Sequence, residues 1–249
     1  MINRRQFIAG ALASLYAGSS FGQRNNEVPV LIYHDIRDKP DDIYSVSPRQ
    51  FKQQMEYLYR HGYTTTTFDR IAAGEFKEKQ VILTFDDGYK SFIDIAAPIL
   101  KHYEFSSVVN VIGEYIGRDM PDVGETRTMM TMKDYGTLLE HYDVEIGCHT
   151  HGLHHPNENV TLVHERMILM DFAMFYMTMK STFGYTPTIL SWPYGKYTLE
   201  SMKEAKKVFK YILTSNLGKV DKNTSLDEIP RINIDGNITL QQFKNILTQ

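Results

Sequence analysis

Asp86 and Asp87 stand side by side at the end of an apolar, β-type run, Val81-Ile82-Leu83-Thr84-Phe85, and Gly88 follows at once. Carboxylates delivered to a strand tip ahead of a glycine lie where a parallel α/β fold keeps its chemistry. A second run, Glu145-Ile146-Gly147-Cys148, ends in His149, with His151, His154 and His155 close behind. Carboxylate and imidazole donors on separate strand ends make a candidate metal site with a spare acid. Asp-Gly alone is ordinary turn chemistry. An acidic strand tip would also suit the magnesium pocket of a phosphoryl-accepting domain, but such a pocket prefers oxygen ligands throughout. Imidazole suits zinc and its neighbours, so the histidines favour a transition-metal site.

The elements that must hold these groups alternate along the chain. Strand patterns fall at 28–33, 81–85, 108–112, 144–147, 189–192 and 211–214. Between them lie helical patterns. Ser47-Pro48 opens one with an N-cap and a first-turn proline, Phe51, Met55 and Leu58 form its buried stripe, and Gly62 stops it. Others span 91–103, 132–141, 160–183, 199–209 and 240–247. Repeated β-α units predict a parallel sheet or barrel. Four strand-end loops then carry the chemistry: Tyr33-His34-Asp35, Asp86-Asp87, the histidine cluster, and Trp192-Pro193-Tyr194-Gly195. A barrel would bring all four to one mouth.

The 249 residues suit one domain, and the net charge of −3 argues against a general nucleic-acid binder. Residues 1–22 read as an export signal: Arg4 and Arg5 form a basic start, Phe7 to Ala17 are apolar and small, and Ser20-Phe21-Gly22 offers a cleavage site. The apolar run is too short for a stable membrane span. Asn3-Arg4-Arg5-Gln6-Phe7 partly resembles the twin-arginine type. Losing this segment takes the net charge from −3 to −5, because it carries two arginines and no acid. The expected division is therefore a signal at 1–22 and one domain at 23–249, exported to the periplasm or secreted. The lone cysteine, Cys148, offers no internal disulfide and reads as a small buried hydrophobe.

Three motifs in order carry a family resemblance. Thr84-Phe85-Asp86-Asp87-Gly88, His149-Thr150 and Pro193-Tyr194-Gly195 together resemble the polysaccharide deacetylases of carbohydrate esterase family four. The resemblance covers essentially all of the chain after the signal and implies a single-domain distorted (β/α) barrel. In the commonest version the second histidine follows the first by four residues, but here position 153 is Leu and the next histidine is His154. That spacing, and the opening Tyr33-His34-Asp35, resemble the exported poly-β-1,6-N-acetylglucosamine deacetylases of biofilm producers. His155-Pro156 resembles the end of the four-residue version and keeps His155 as a rival ligand. An arginine precedes the Pro-Tyr motif in the wider family where this chain has Ser191, and Ile229-Pro230-Arg231-Ile232 lacks the usual C-terminal histidine.

The resemblance implies a role for each group. Asp87, His149 and His154 would hold a divalent metal, zinc first, with cobalt, nickel or iron as alternatives. Three ligands leave an open position, the mark of a catalytic site. An acetamide is a poor electrophile, and a metal both polarises its carbonyl and lowers the pKa of a water from ~15.7 toward neutrality. Asp86 would be the general base, oriented by Arg231, and the Tyr194 backbone N–H would hold the oxyanion. His34 takes the acid role that the branch assigns to an N-terminal histidine. Arg231 could instead be a surface ion pair, and Trp192 either a core ring or a sugar platform. The aromatic and methionine stretch 172–183 reads as core packing.

The implied reaction removes N-acetyl groups from N-acetylglucosamine units of an acetylated polysaccharide. Peptidoglycan, chitin oligomers or xylan are rival substrates, and a carbohydrate-binding pseudoenzyme is the rival class. Some relatives in the biofilm branch carry an added glycan-binding domain, so a separate partner that presents the glycan is a further expectation.

Overall fold

A computed structural model describes residues 27–38, 43–122, 125–154 and 165–248. The expected signal at 1–22 and the rival ligand His155 lie outside the described residues. Six strands answer the sequence pattern: β1 (Val30–Tyr33), β2 (Gln80–Phe85), β3 (Ser107–Val111), β4 (Val144–Cys148), β5 (Ile189–Ser191) and β6 (Tyr211–Leu213). A seventh, β7 (Ile232–Asn233), is too short to show a period in sequence. They run parallel in the order β6-β5-β4-β3-β2-β1-β7. Just before β7, Ile229 bridges back to Leu213 of β6, so the lead-in to the last strand joins the far edge and the sheet curls into a barrel. Thr64–Thr65 adds a short parallel pairing on β2.

Alternation along the strands divides the apolar groups into two cores. Leu31, Tyr33, Leu83, Phe85, Val109, Val111, Ile146, Cys148, Leu190 and Trp192 point outward under the helices. Val30, Ile82, Val108, Ile189, Tyr211 and Leu213 fill the other face. Further along that inner face stand Thr84, Asn110 and Ser191, all fully buried and polar. The barrel interior thus changes from apolar to polar along its axis, and the strand ends that carry the carboxylates and histidines lie at the polar end.

The covering helices are α1 (Pro48–Arg60), α2 (Ala97–His102), α3 (Met132–His141), α4 (Glu165–Phe183), α5 (Leu199–Ala205) and α6 (Leu240–Thr248). The Ser47 hydroxyl accepts from the Gln50 N–H, and Phe51, Met55 and Leu58 are buried, as the cap and stripe predict. Three expectations are corrected. The 91–103 helix opens with a π-helical turn at Phe92–Ala96. The 199–209 helix closes at Ala205, beyond which the N–H groups of Lys207, Val208 and Phe209 bond tightly back to Glu204 and Ala205. The 172–183 stretch is only half core: Phe172, Phe175 and Met179 are fully buried, while Met174 and Met177 are more than half exposed. Sequence pattern also missed a polar hairpin, Asp119–Asp122 with Glu125–Thr128. Arg127 ties this hairpin to Asp35 at 2.8 Å, beside His34. Among the described residues no helix is long and apolar enough to cross a membrane.

Candidate metal centre and active site

Three of the four strand-end loops leave their strands through strained backbone. Asp87, Thr150 and Tyr194 adopt φ of 75°, 65° and 57°, the left-handed region that non-glycine residues rarely occupy. Such strain persists where surrounding structure over-determines it, and it concentrates at functional sites. Gly88 at φ 90° completes the first turn, and a Cβ there would lie 2.5 Å from the Tyr135 hydroxyl.

Asp87, His149 and His154 converge so that one ligand atom from each lies within 4.8 Å of the others. Nε2 of both imidazoles stands 3.3 Å from the same Asp87 Oδ1. That oxygen is buried and accepts no hydrogen bond, the state of a carboxylate oxygen aimed at a cation. His149 Nδ1 lies 2.8 Å from the Ser191 carbonyl, so Nδ1–H donates there and Nε2 is left as the free donor atom. Burial would lower the His149 pKa, yet Asp86, Asp87 and the Ser191 carbonyl overcome it and raise it. Burial would likewise raise the Asp87 carboxyl, and the facing imidazoles hold it well below the usual carboxylate range. The donor set, two imidazoles and one carboxylate, fits a divalent transition metal.

Asp86 turns the other way, into the barrel. Arg231 meets it bidentately, Nη1 to Oδ1 and Nη2 to Oδ2 at 2.9 Å each. Asn110 Nδ2 donates to Oδ1 at 2.7 Å, and the Ser191 hydroxyl to Oδ2 at 3.1 Å. Arg231 is 1% exposed, so the surface ion-pair alternative falls. Its remaining contacts run to the Thr214 carbonyl at 2.9 Å and the hydroxyls of Thr84 and Ser191 at 3.2 and 2.7 Å. Against a burial effect that would raise the Asp86 carboxyl, Arg231 and then His149 hold it far below its ordinary value.

His34 lies close enough to feel Asp87, Asp86, Arg231 and His149, with burial the largest influence and a lowered pKa the result. Its Nδ1 is buried without a hydrogen-bond partner, and its ring meets that of Tyr44 edge-on at 5.1 Å. Tyr194 is 42% exposed, with its ring 4.7 Å from that of His154. Trp192 is fully buried against Phe172 and Tyr197, so it is a core ring and not a sugar platform. The structure therefore gathers all seven sequence-derived candidates at one end of the barrel. It adds two that sequence reasoning missed. Asn110 had left a signal, as the one polar residue in the run Val108-Val109-Asn110-Val111-Ile112. Tyr89, buried close enough to Asp87 for that carboxylate to push its phenol further up, had left none.

The family model described as polysaccharide deacetylase matches residues 73–209. A poly-β-1,6-N-acetyl-D-glucosamine N-deacetylase of Staphylococcus aureus (strain MSSA476) is 26% identical over 81% of this chain and 71% of its own length. The protein of the same name from Escherichia coli (strain K12) is 23% identical over 88% of this chain, which spans only 38% of that protein. Among solved structures, IcaB from Ammonifex degensii superposes with a TM-score of 0.78 at 24% identity, over 91% of this chain and 97% of that one, and supports the barrel fold.

Proposed function

This chain belongs to the polysaccharide deacetylase family, and we propose that it hydrolyses N-acetyl groups from N-acetylglucosamine units of an exported polymer, poly-β-1,6-N-acetylglucosamine first. The observation that carries this reading is the convergence of Asp87, His149 and His154 beside a second carboxylate, Asp86, that is turned away from them onto Arg231. The names of the relatives from S. aureus and E. coli support the choice of polymer.

Asp87, His149 and His154 would hold a divalent metal, zinc first. When bound, such an ion supplies a Lewis acid for the acetamide carbonyl and acidifies a water. Asp86 takes the proton of that water. Four donors already fill its two oxygens, about the number of lone-pair sites a carboxylate has. Accepting a proton therefore requires one donor to yield, and the Ser191 hydroxyl makes the longest of these contacts. Arg231 meanwhile keeps the carboxylate plane fixed. The Tyr194 N–H, presented by its left-handed turn, steadies the oxyanion. His34 gives the departing amine its proton.

The product would be a partly cationic glucosamine polymer plus acetate. The signal-like segment at 1–22 supports export, and a separate glycan-presenting partner remains part of the proposal. The test is acetate release by the zinc-reconstituted protein from β-1,6-linked N-acetylglucosamine oligomers, with Asp86→Asn as control. Release that the substitution abolishes supports the reading. Release only from chitin oligomers, peptidoglycan or acetylated xylan moves the substrate, and binding without release from any of them would make this chain a carbohydrate-binding pseudoenzyme.

A further inference from the structure

Asp171, on α4, takes no part in the chemistry proposed above, yet it grips the loop that carries both histidines. Its side chain is buried, and Oδ1 accepts from the His151 N–H at 2.7 Å while Oδ2 accepts from the Gly152 N–H at 2.6 Å. These consecutive peptides lie midway along the five-residue step from His149 to His154. The turn after β3 holds the loop by its carbonyls: the Gly113 N–H donates to Thr150 O at 3.1 Å and the Glu114 N–H to His151 O at 2.7 Å. Within the loop, the Leu153 N–H donates to Thr150 Oγ1 at 3.2 Å. The fit is close, because a Cβ on Gly113 would fall 2.4 Å from His151 Nδ1 and 3.1 Å from its Cα.

One carboxylate spread over two successive N–H groups fixes the rotation of the loop as well as its height. Two residues beyond Gly152 the chain reaches His154, whose Nε2 must arrive 3.3 Å from Asp87 Oδ1. We infer that Asp171 is a positioning residue that sets the separation of the two imidazoles by holding the peptides between them. Metal affinity and coordination geometry then depend on its carboxylate, and not folding alone. The inference rests on reading Asp87, His149 and His154 as a metal site. Charge-assisted bonds to a carboxylate are short and strong, and losing an outer partner of a metal ligand costs roughly 10–100-fold in affinity.

Cobalt(II) alone is the probe, titrated into the metal-free full chain against a competing chelator, with the visible d–d spectrum recorded and circular dichroism verifying the fold. Asp171→Ala is expected to bind cobalt about 10–100-fold more weakly with a displaced d–d band. Asp171→Asn should fall between it and wild type, since the carboxamide keeps one acceptor and sets an N–H against the other peptide. A folded Asp171→Ala with wild-type affinity and spectrum overturns the inference and leaves the metal site standing. Should Asp171→Ala not fold, wild-type affinity and spectrum in Asp171→Asn overturn it equally. Loss of cobalt in Asp87→Ala supports the site itself, and a wild type that takes up no cobalt overturns both.

Discussion

Arg231→Met is the substitution from which most can be computed. The methionine fills most of the space but removes the fork to Asp86 and the contacts to Thr214, Thr84 and Ser191. Asp86 is left 4% exposed with no cation in contact. Removing one partner of such a buried pair costs about 3–5 kcal/mol, most of it the stranded charge. The pH dependence then changes sign. In wild type the depressed Asp86 pKa contributes stability that is full above the unfolded value, about 3.9, and is lost only as the pH falls through the folded value beneath it. In the variant burial acts with far less opposition and raises the carboxyl, so stability is gained at low pH and lost as the pH climbs through the raised value. Urea unfolding of both proteins at pH 7 and pH 4 reads this directly. The deficit should be about 3–5 kcal/mol at pH 7 and clearly smaller at pH 4, and the acid limb of kcat/KM should move upward. A deficit under about 1 kcal/mol at pH 7, the worth of an exposed ion pair, or one independent of pH, refutes the reasoning.

Gly147→Ala would set a Cβ 2.2 Å from Asn110 Oδ1 and 3.3 Å from Ile189 Cβ. It should cost about 1–3 kcal/mol in urea unfolding and lower kcat/KM by displacing Asn110 from Asp86, whereas unchanged kinetics would detach Asn110 from the mechanism. His34→Gln should lower kcat by about 10²–10⁴-fold while zinc affinity stays within a few-fold of wild type. A kcat near wild type removes His34 as the acid. Zinc at 100 times its Kd should stabilise the protein by about 2.7 kcal/mol, and a chelator should abolish both this gain and the activity. Because the His149 pKa is raised in the metal-free fold, its protonated form adds stability below the unfolded value that fades as the pH rises through the folded one. Protons compete with zinc for the same nitrogen, so thermal shifts with and without zinc should show a gain larger at pH 8 than at pH 5.5.

The positions of the chemistry were legible because each strand announced itself by an apolar run and each loop by a motif at its end. Six strands and the ends that carry Asp86, His149 and Tyr194 follow from that alone. The closure did not, because Ile232–Asn233 has two residues and no period, and its pairing with Leu31 and Ile32 is decided by the whole barrel. The resemblance predicts Arg231 beside Asp86, but its burial was hidden for the same reason: nothing in Ile229-Pro230-Arg231-Ile232 tells that the ring closes around it. Asn110 was legible in principle, since a polar residue amid four apolar ones must meet a partner indoors. Asp171 was not, because in a helical pattern an acid marks the solvent face unless a loop distant in sequence comes to meet it. The Asp119–Thr128 hairpin carries too little alternation to announce itself, and it is attached by Met120, buried against Tyr89, Ile112 and Met129, and by the Arg127–Asp35 pair, a contact across 92 residues. The half-exposed Met174 and Met177 mislead composition in the opposite sense, as apolar residues on an outer face.

The pairing of Asp86 with Arg231 spans 145 residues, and this makes the catalytic geometry a property of the finished chain. A ribosome has already delivered both carboxylates and both histidines long before the arginine emerges, and contacts so distant in sequence form late and slowly. Without the lead-in to β7, Asp86 keeps the Asn110 and Ser191 donors but has no cation in contact, and a buried carboxylate without one is costly. The last strand is therefore a latch: the proposed ligand loops are complete well upstream in the chain, while the cation that faces Asp86 comes into place only where the two ends of the sheet meet.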